Sequence, residues 1–171
     1  MSILVDNKAI EVKLRYVDRP YPGGAVGAKV FRTKEEEEEW IERESQRRGE
    51  KAMELEALKQ EVPPNLTKDA KEEVKELITF WKRTDWGTQT GILDECTSIN
   101  ELGEAKTDFS KYRALQMEKL MVGWNLKTPD EKPIKITREI VARLDFGVAL
   151  ALLDKYEEAI SSTEEEMENL G

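Results

Sequence analysis

The fold is decided by residues 108–124, which read DFSKYRALQMEKLMVGW. Asp108 can cap a helix here, because its side chain can accept a hydrogen bond from a backbone N–H of the first turn. The apolar residues that follow occupy much of the helix circumference: Phe109, Tyr112, Leu115, Leu120, Met121 and Trp124. Because a helix that is apolar on most sides is normally buried, this stretch predicts the central helix of a mainly helical fold.

Two further helices are predicted after a polar loop at residues 125–133. Thr137 can cap a short one, and Asp145 can cap a long final one. The final helix carries an apolar stripe of Phe146, Ala149, Leu150, Leu153, Tyr156 and Ile160, which Val148 and Leu152 widen. Residues 161–171 are acidic and predict a loose tail.

Two more helices are predicted before the central one. The apolar residues of the first follow helical spacing, with Thr67 as its cap: Ala70, Val74, Leu77, Ile78 and Trp81. A weaker helix follows Asp85 and carries Ile92, Leu93, Cys96 and Ile99 on one side, ahead of a loop at 100–107. Residues 67–160 therefore predict a helical domain of about five helices.

Residues 34–62 predict a highly charged connecting helix. Thr33 can cap it, and the acidic run Glu35–Glu39 suits the positive end of the helix dipole. Residues 42–51 are polar on every side and include a glycine, so we expect this helix to project, bend or fray. Pro63 and Pro64 end it.

Residues 1–33 predict a small antiparallel β-meander. Apolar residues alternate with charged ones from Ile10 to Tyr16 and alternate again from Val26 to Val30, the period of half-buried strands. Residues 3–5 could add a short partner strand. The fold class is therefore mainly α within an α+β arrangement: meander, charged helix, helical domain and acidic tail.

Composition excludes several classes of function. The 171-residue chain has a formal net charge of −9, which argues against nucleic acid and anionic membrane surfaces as partners. It contains no histidine and one cysteine, so it lacks histidine-based triads, histidine zinc sites and thiolate clusters. Glycine motifs for phosphate binding are also missing. We expect no enzyme, no catalytic residue, no cofactor and no metal.

The sequence also predicts an intracellular protein. The N-terminus turns polar after three apolar residues and does not resemble a signal peptide, and no segment approaches the roughly 20 apolar residues of a membrane helix. A lone Cys96 fits a reducing compartment and predicts a small buried apolar side chain.

The second half carries four motifs in order: a helix end KLMVGWNL at 119–126, a loop with Pro133, a helix start IKITREI at 134–140, and LALL at 150–153. Through these motifs, about residues 67–160 resemble the small tail assembly chaperones of long-tailed bacteriophages. The resemblance implies a non-enzymatic protein of the infected cell's cytoplasm that binds the tape-measure protein or other tail components. The charged helix at 34–60 and the loop at 21–24 depart from the family pattern.

Four aromatic residues are candidates for partner binding: Trp86, Trp124, Tyr21 and Trp40. Trp86 and Trp124 could line a groove, since tryptophan is over-represented at interface hot spots. Alternatively Trp124 packs in the core at a helix end, where Asn125 terminates the helix. Tyr21 lies in the Pro/Gly-rich loop 19–27, which could be an interaction tip or a plain connection.

Two other functions remain open from the sequence. A virion structural protein, such as a connector, tail or decoration component, would form a homo-oligomer through its strands or loop. An acidic inhibitor of a nucleic-acid-binding protein would use acidic runs such as Glu35–Glu39 to mimic phosphates, although such runs usually serve only solubility.

Overall fold

A computed structural model describes residues 8–24, 26–67, 70–71 and 73–168 of the chain, with side chains through residue 162. The chain forms two compact units. One comprises the described residues of Met1–Leu14 and Glu76–Gly171, and the other comprises those of Arg15–Lys75. The predicted segments 1–33 and 67–160 are therefore each distributed over both units.

The fold is α+β, with five α-helices and an antiparallel sheet among the described residues. The strands are β1 Ile10–Pro20, β2 Val26–Phe31, β3 Lys75–Trp81, β4 Thr97–Ile99, β5 Ala105–Thr107 and β6 Met121–Trp124. The α-helices are α1 Lys34–Ala57, α2 Trp86–Cys96, α3 Phe109–Leu120, α4 Arg138–Val141 and α5 Phe146–Glu168. Four strands form one sheet in the order β2-β1-β3-β6, and β4 pairs with β5 separately.

The predicted N-terminal hairpin is confirmed. β1 and β2 pair antiparallel, with Tyr16 opposite Val30 and Pro20 opposite Val26. The alternation of apolar and charged residues places Val12 and Leu14 in the interior, and Val17, which follows Tyr16 directly, is buried as well. The partner strand predicted at residues 3–5 lies outside the described residues.

The charged helix is also confirmed, as α1. Thr33 caps it, its hydroxyl oxygen accepting a hydrogen bond from the N–H of Glu36 at 3.1 Å. The helix ends at Ala57 rather than at the predicted residue 62. Two residues after that end, Lys59 adopts a positive φ of 53°. A 3-10 turn, Pro64–Leu66, follows. Trp40 packs against Phe31 of β2 with ring centroids 5.4 Å apart, so the first half of α1 has a specific packing contact.

The helix predicted from Ala70 to Trp81 is wrong. Lys75–Trp81 is strand β3, with Leu77, Thr79 and Trp81 buried and the residues between them more exposed. Helical and strand periodicities both fit these apolar residues, and the buried threonine concealed the alternation. The segment is rich in aromatic and β-branched residues, which favour a pleated strand.

The central helix is shorter than predicted. α3 ends at Leu120, and the predicted helix end at 121–124 is strand β6, which pairs with β3. Asn125 does not terminate a helix; its side chain holds β3 instead. The carboxamide Nδ2 donates to the Glu76 carbonyl at 2.9 Å, and Oδ1 accepts from the N–H of Ile78 at 3.0 Å.

The weak helix after Asp85 also ends early, at Cys96, and Ile99 belongs to strand β4. The predicted loop 100–107 contains the turn and second strand of a hairpin. Cys96 is buried as expected. Within the described part of 67–160 the structure thus has four α-helices, with strands in place of the fifth.

The long final helix is confirmed, but two details differ. α5 buries Val148, Leu152 and Tyr156, so its apolar stripe is rotated from the predicted one, and Phe146 is exposed. The tail predicted as loose from residue 161 continues α5 through Glu168. Tyr156 stacks on Trp81 with centroids 4.6 Å apart, which fixes α5 on the sheet.

Candidate partner-binding surface

The helices α2 and α3 share a small apolar core that orients both of them. Ile92 and Cys96 of α2 are buried against Leu115 of α3, and Tyr112 packs at the edge of this cluster. The Gln89 side-chain amide donates to the Tyr112 hydroxyl at 2.7 Å. These contacts fix which face of α2 points inward and which faces solvent.

The outer face of α2 carries two exposed apolar side chains. Asp85 caps the helix, and its carboxylate accepts the N–H of Thr88 at 2.7 Å. That hydrogen bond lowers the pKa of Asp85. Trp86 follows at the first helical position with 86% of its surface exposed. Leu93, seven residues later, lies on the same face and is also exposed.

The β4–β5 hairpin presents two more apolar side chains, Ile99 and Leu102. Leu102 is 84% exposed at the tip. The turn is held by Asn100, whose Oδ1 accepts the N–H groups of Leu102 at 3.0 Å and Glu104 at 2.9 Å. Gly103 follows with a φ of +80°, a conformation that disfavours side chains. Leu102 is therefore displayed on a hydrogen-bonded turn.

Helix α3 begins with another exposed aromatic residue. The Asp108 carboxylate accepts the N–H of Lys111 at 3.0 Å, and the Asp108 N–H donates to the Cys96 carbonyl at 2.9 Å. Phe109 follows this cap with 72% of its surface exposed. The same aspartate–aromatic order begins α5, where Asp145 precedes the exposed Phe146.

Five large exposed apolar residues thus occur within residues 86–109, and we call this set the 86–109 surface: Trp86, Leu93, Ile99, Leu102 and Phe109. Sequence reasoning identified only Trp86. Leu93 and Ile99 were assigned to the apolar side of a weaker helix and Phe109 to the buried central helix, since an apolar residue in a helical pattern carries no mark of which side is covered. The aspartate–aromatic pairs are a sequence signal, because a residue directly after a cap sits at the helix end.

Trp124 lies elsewhere in the same unit, on strand β6. Its indole Nε1 donates to the carbonyl of Ile134 at 2.6 Å. It lines a slot of about 490 Å³ between residues 121–124 and 133–136, and Trp86 does not line that slot.

Trp40 and Tyr21 belong to the other unit. Trp40 is half-buried and lines a cleft of about 770 Å³ that includes Arg19, Arg48 and Lys71. The cleft is largely polar rather than an apolar groove. Tyr21 is partly exposed in the turn after β1, where its carbonyl accepts the N–H of Gly24 at 3.2 Å.

In the part of the chain that the structure describes, no group of three or more acidic or cysteine side chains is placed to hold a metal ion. No described helix combines the length and apolarity that crossing a membrane requires. Comparison with protein-family models, curated proteins and solved structures found no match to this chain.

Proposed function

We propose that this protein is a non-enzymatic assembly factor that binds apolar segments of partner proteins, and that its partners are phage tail components such as the tape-measure protein. The observation that carries the binding role is the 86–109 surface. Contiguous exposed apolar surface marks protein interaction sites, and we propose that a partner covers these five side chains together. Tryptophan in particular contributes heavily to binding energy when a partner covers it.

The construction of this surface supports a binding role. Trp86 and Phe109 each follow a capped helix start, and Leu102 follows a hydrogen-bonded turn. Side chains displayed on an ordered backbone lose less conformational freedom on binding, so less of the interaction energy is spent on ordering. Burial of such residues needs no chemistry, which fits a holding role.

The phage tail assignment has a separate support, the resemblance of residues 67–160 to tail assembly chaperones. The structure differs from the implied helix end, since 121–124 is a strand. The order of motifs is unchanged by that difference: the Trp124–Asn125 pair, the loop with Pro133 and the Thr137-capped helix α4 follow one another. We place the protein in the infected cell's cytoplasm during assembly.

The decisive experiment is a tagged pull-down from cells that express the whole gene cluster, with bound proteins identified by mass spectrometry. We expect a long, coiled-coil-rich tail protein to be recovered and purified particles to lack this chain. Presence in finished particles would instead make it a virion structural protein. Recovery of only a nucleic-acid-binding enzyme would contradict the tail assignment and favour the acidic-inhibitor alternative.

Substitutions connect the surface to the binding. We expect the double variant Trp86→Ala/Leu102→Ala to bind the recovered partner at least about tenfold more weakly, because both residues are exposed anchors. The matched control is Met53→Ala, an exposed apolar residue of α1. Equal loss in both proteins, or no loss in either, would mean that the 86–109 surface is not the binding site.

A further inference from the structure

The hairpin that follows β6 begins as a regular antiparallel ladder. The N–H of Thr128 donates to the carbonyl of Lys132 at 2.8 Å, and the N–H of Ile134 donates to the carbonyl of Leu126 at 3.1 Å. Lys127 forms a bridge with Pro133 between them. In such a ladder hydrogen-bonded pairs alternate with non-bonded ones, so the next bonded pair would be Trp124 with Ile136.

That next pair is not formed. Among the described residues, the backbone N–H and C=O groups of Trp124 and Ile136 have no hydrogen-bond partner. Instead, the Trp124 indole Nε1 donates to the carbonyl of Ile134. Ile134 is the residue whose N–H bonds to Leu126 in the last pair that forms. A slot of about 490 Å³ lies at this position, lined by residues 118, 121–124 and 133–136.

The register of β6 shows where the backbone groups of Trp124 point. The N–H of Asn125 donates to the carbonyl of Ile78 at 3.0 Å, so Asn125 bonds towards β3. Trp124 lies opposite Thr79 in the neighbouring pair, which is not hydrogen-bonded. Its backbone N–H and C=O therefore point away from β3, towards the outer edge of β6. Within the described residues, β6 is an edge strand of the four-stranded sheet, and no further described strand of that sheet covers this side.

A side-chain acceptor also lines the slot without a donor. Glu118 Oε2 is buried and accepts no hydrogen bond within the described part of the chain. The guanidinium Nε of Arg138 forms an ion pair with this oxygen at 4.0 Å, which is too long for a hydrogen bond. A buried carboxylate oxygen without a donor is costly, so it favours an occupant that brings an N–H or an ammonium group.

We propose that this slot binds an extended polypeptide segment, which pairs with the edge of β6 at Trp124 and with Ile136, and which carries a lysine or arginine for Glu118. Backbone donors and acceptors spaced along a strand edge are matched by another extended chain. Apolar side chains of the segment pack on Ile134, Ile136 and Val122. The volume suits a few residues, since ligand sites occupy about 300–1,000 Å³. This proposal does not depend on the identity of the partner proposed above.

The test uses the full chain and the acetylated, amidated peptide Val-Lys-Val-Lys-Val, with binding followed by NMR amide exchange. In the free protein, the amides of Trp124 and Ile136 should exchange fast and that of Asn125 slowly. The peptide should protect both fast amides. A matched peptide with an N-methyl group on every residue cannot pair along either edge and should protect neither amide.

Protein variants give an independent arm. Ile136→Pro removes an N–H that the fold does not use, so we expect about tenfold weaker peptide binding at an unchanged melting temperature. Ile136→Val retains the N–H and should bind normally, and Glu118→Gln should lose the preference for a lysine-containing peptide over its norleucine analogue. Slow exchange of both amides in the free protein would overturn the proposal. Equal protection by the N-methylated peptide, or no binding at millimolar concentration, would overturn it as well.

Discussion

At the scale of single residues, Thr79 links two elements through one buried hydroxyl. Its Oγ1 donates to the Val12 carbonyl at 3.2 Å and accepts from the Trp81 indole Nε1 at 2.7 Å. We expect Thr79→Val, which preserves the side-chain shape, to destabilise the fold by about 1–3 kcal/mol, because it leaves the buried indole N–H without an acceptor. Urea unfolding measures this loss.

The control for that experiment is Thr79→Ser, which retains the hydroxyl and loses one methyl group. It should be closer to the original protein than the valine variant is. A valine variant as stable as the original would show that the Trp81 indole is satisfied in another way.

Glu37 is the residue for which the structure predicts a pH dependence. It is buried and accepts two hydrogen bonds from the Arg15 guanidinium, at 2.5 and 2.7 Å. These bonds hold the pKa of Glu37 below its ordinary value of 4.5. Because the folded pKa is below the unfolded one, the pair stabilises fully above about pH 4.5, and this contribution is lost as pH falls through the folded pKa.

We therefore expect Glu37→Gln to lower stability at pH 7 by about 1 kcal/mol, since the Arg15 side chain is half-exposed and screened. The difference from the original protein should shrink as pH falls below 4.5. Thermal unfolding between pH 3 and 7 measures it, with the exposed neighbour Glu39→Gln as control. A difference that stays constant over this range would contradict the assignment.

At the scale of elements, the sequence predicted those whose period was unambiguous and whose ends were marked. Strands β1 and β2 were predicted from the alternation at residues 10–16 and 26–30. Helices α1, α3 and α4 begin after the predicted caps Thr33, Asp108 and Thr137, and α2 follows Asp85 as predicted. Strand β3 was missed because Val74, Leu77, Ile78 and Trp81 satisfy helical spacing as well. Pairing with β6 makes this segment a strand rather than a helix. β6 is distant in sequence, so the local spacing of apolar residues does not reveal this pairing.

The ends of elements near the candidate site were missed for a related reason. α3 passes directly into β6 without a loop, so neither glycine nor proline marks the change at Met121. Exposure of Leu93 and Leu102 was equally unreadable, because residue type does not record what covers a side chain. Only the tertiary arrangement separates core from surface here.

The cap of α3 offers a test at this scale. Asp108→Ala removes the acceptor for the Lys111 N–H and should destabilise the fold by about 1 kcal/mol. Asp108→Asn is the matched control, because asparagine caps as well as aspartate does. Chemical denaturation of both variants measures the difference. If the two variants are equally destabilised, the charge at this position matters rather than the cap.

At the scale of the whole molecule, an apolar surface is carried by a strongly acidic chain. The net charge of −9 at neutral pH makes copies repel one another, which keeps exposed apolar side chains available to other partners. The repulsion disappears near the sequence pI of about 4.8. Availability of the 86–109 surface should therefore depend on charge as well as on exposure.

We predict that the protein self-associates as pH is lowered from 7 towards 5, and that Trp86→Ser/Leu102→Ser suppresses this association. Charge neutralisation removes the barrier between copies, and the exposed apolar residues then supply the attraction. Light scattering coupled to size exclusion measures the molar mass at each pH. Met53→Ser/Leu58→Ser removes equally exposed apolar residues in and just after α1 and should associate like the original protein. If instead both double variants associate alike, the attraction is spread over the surface, and the 86–109 surface has no special affinity for apolar partners.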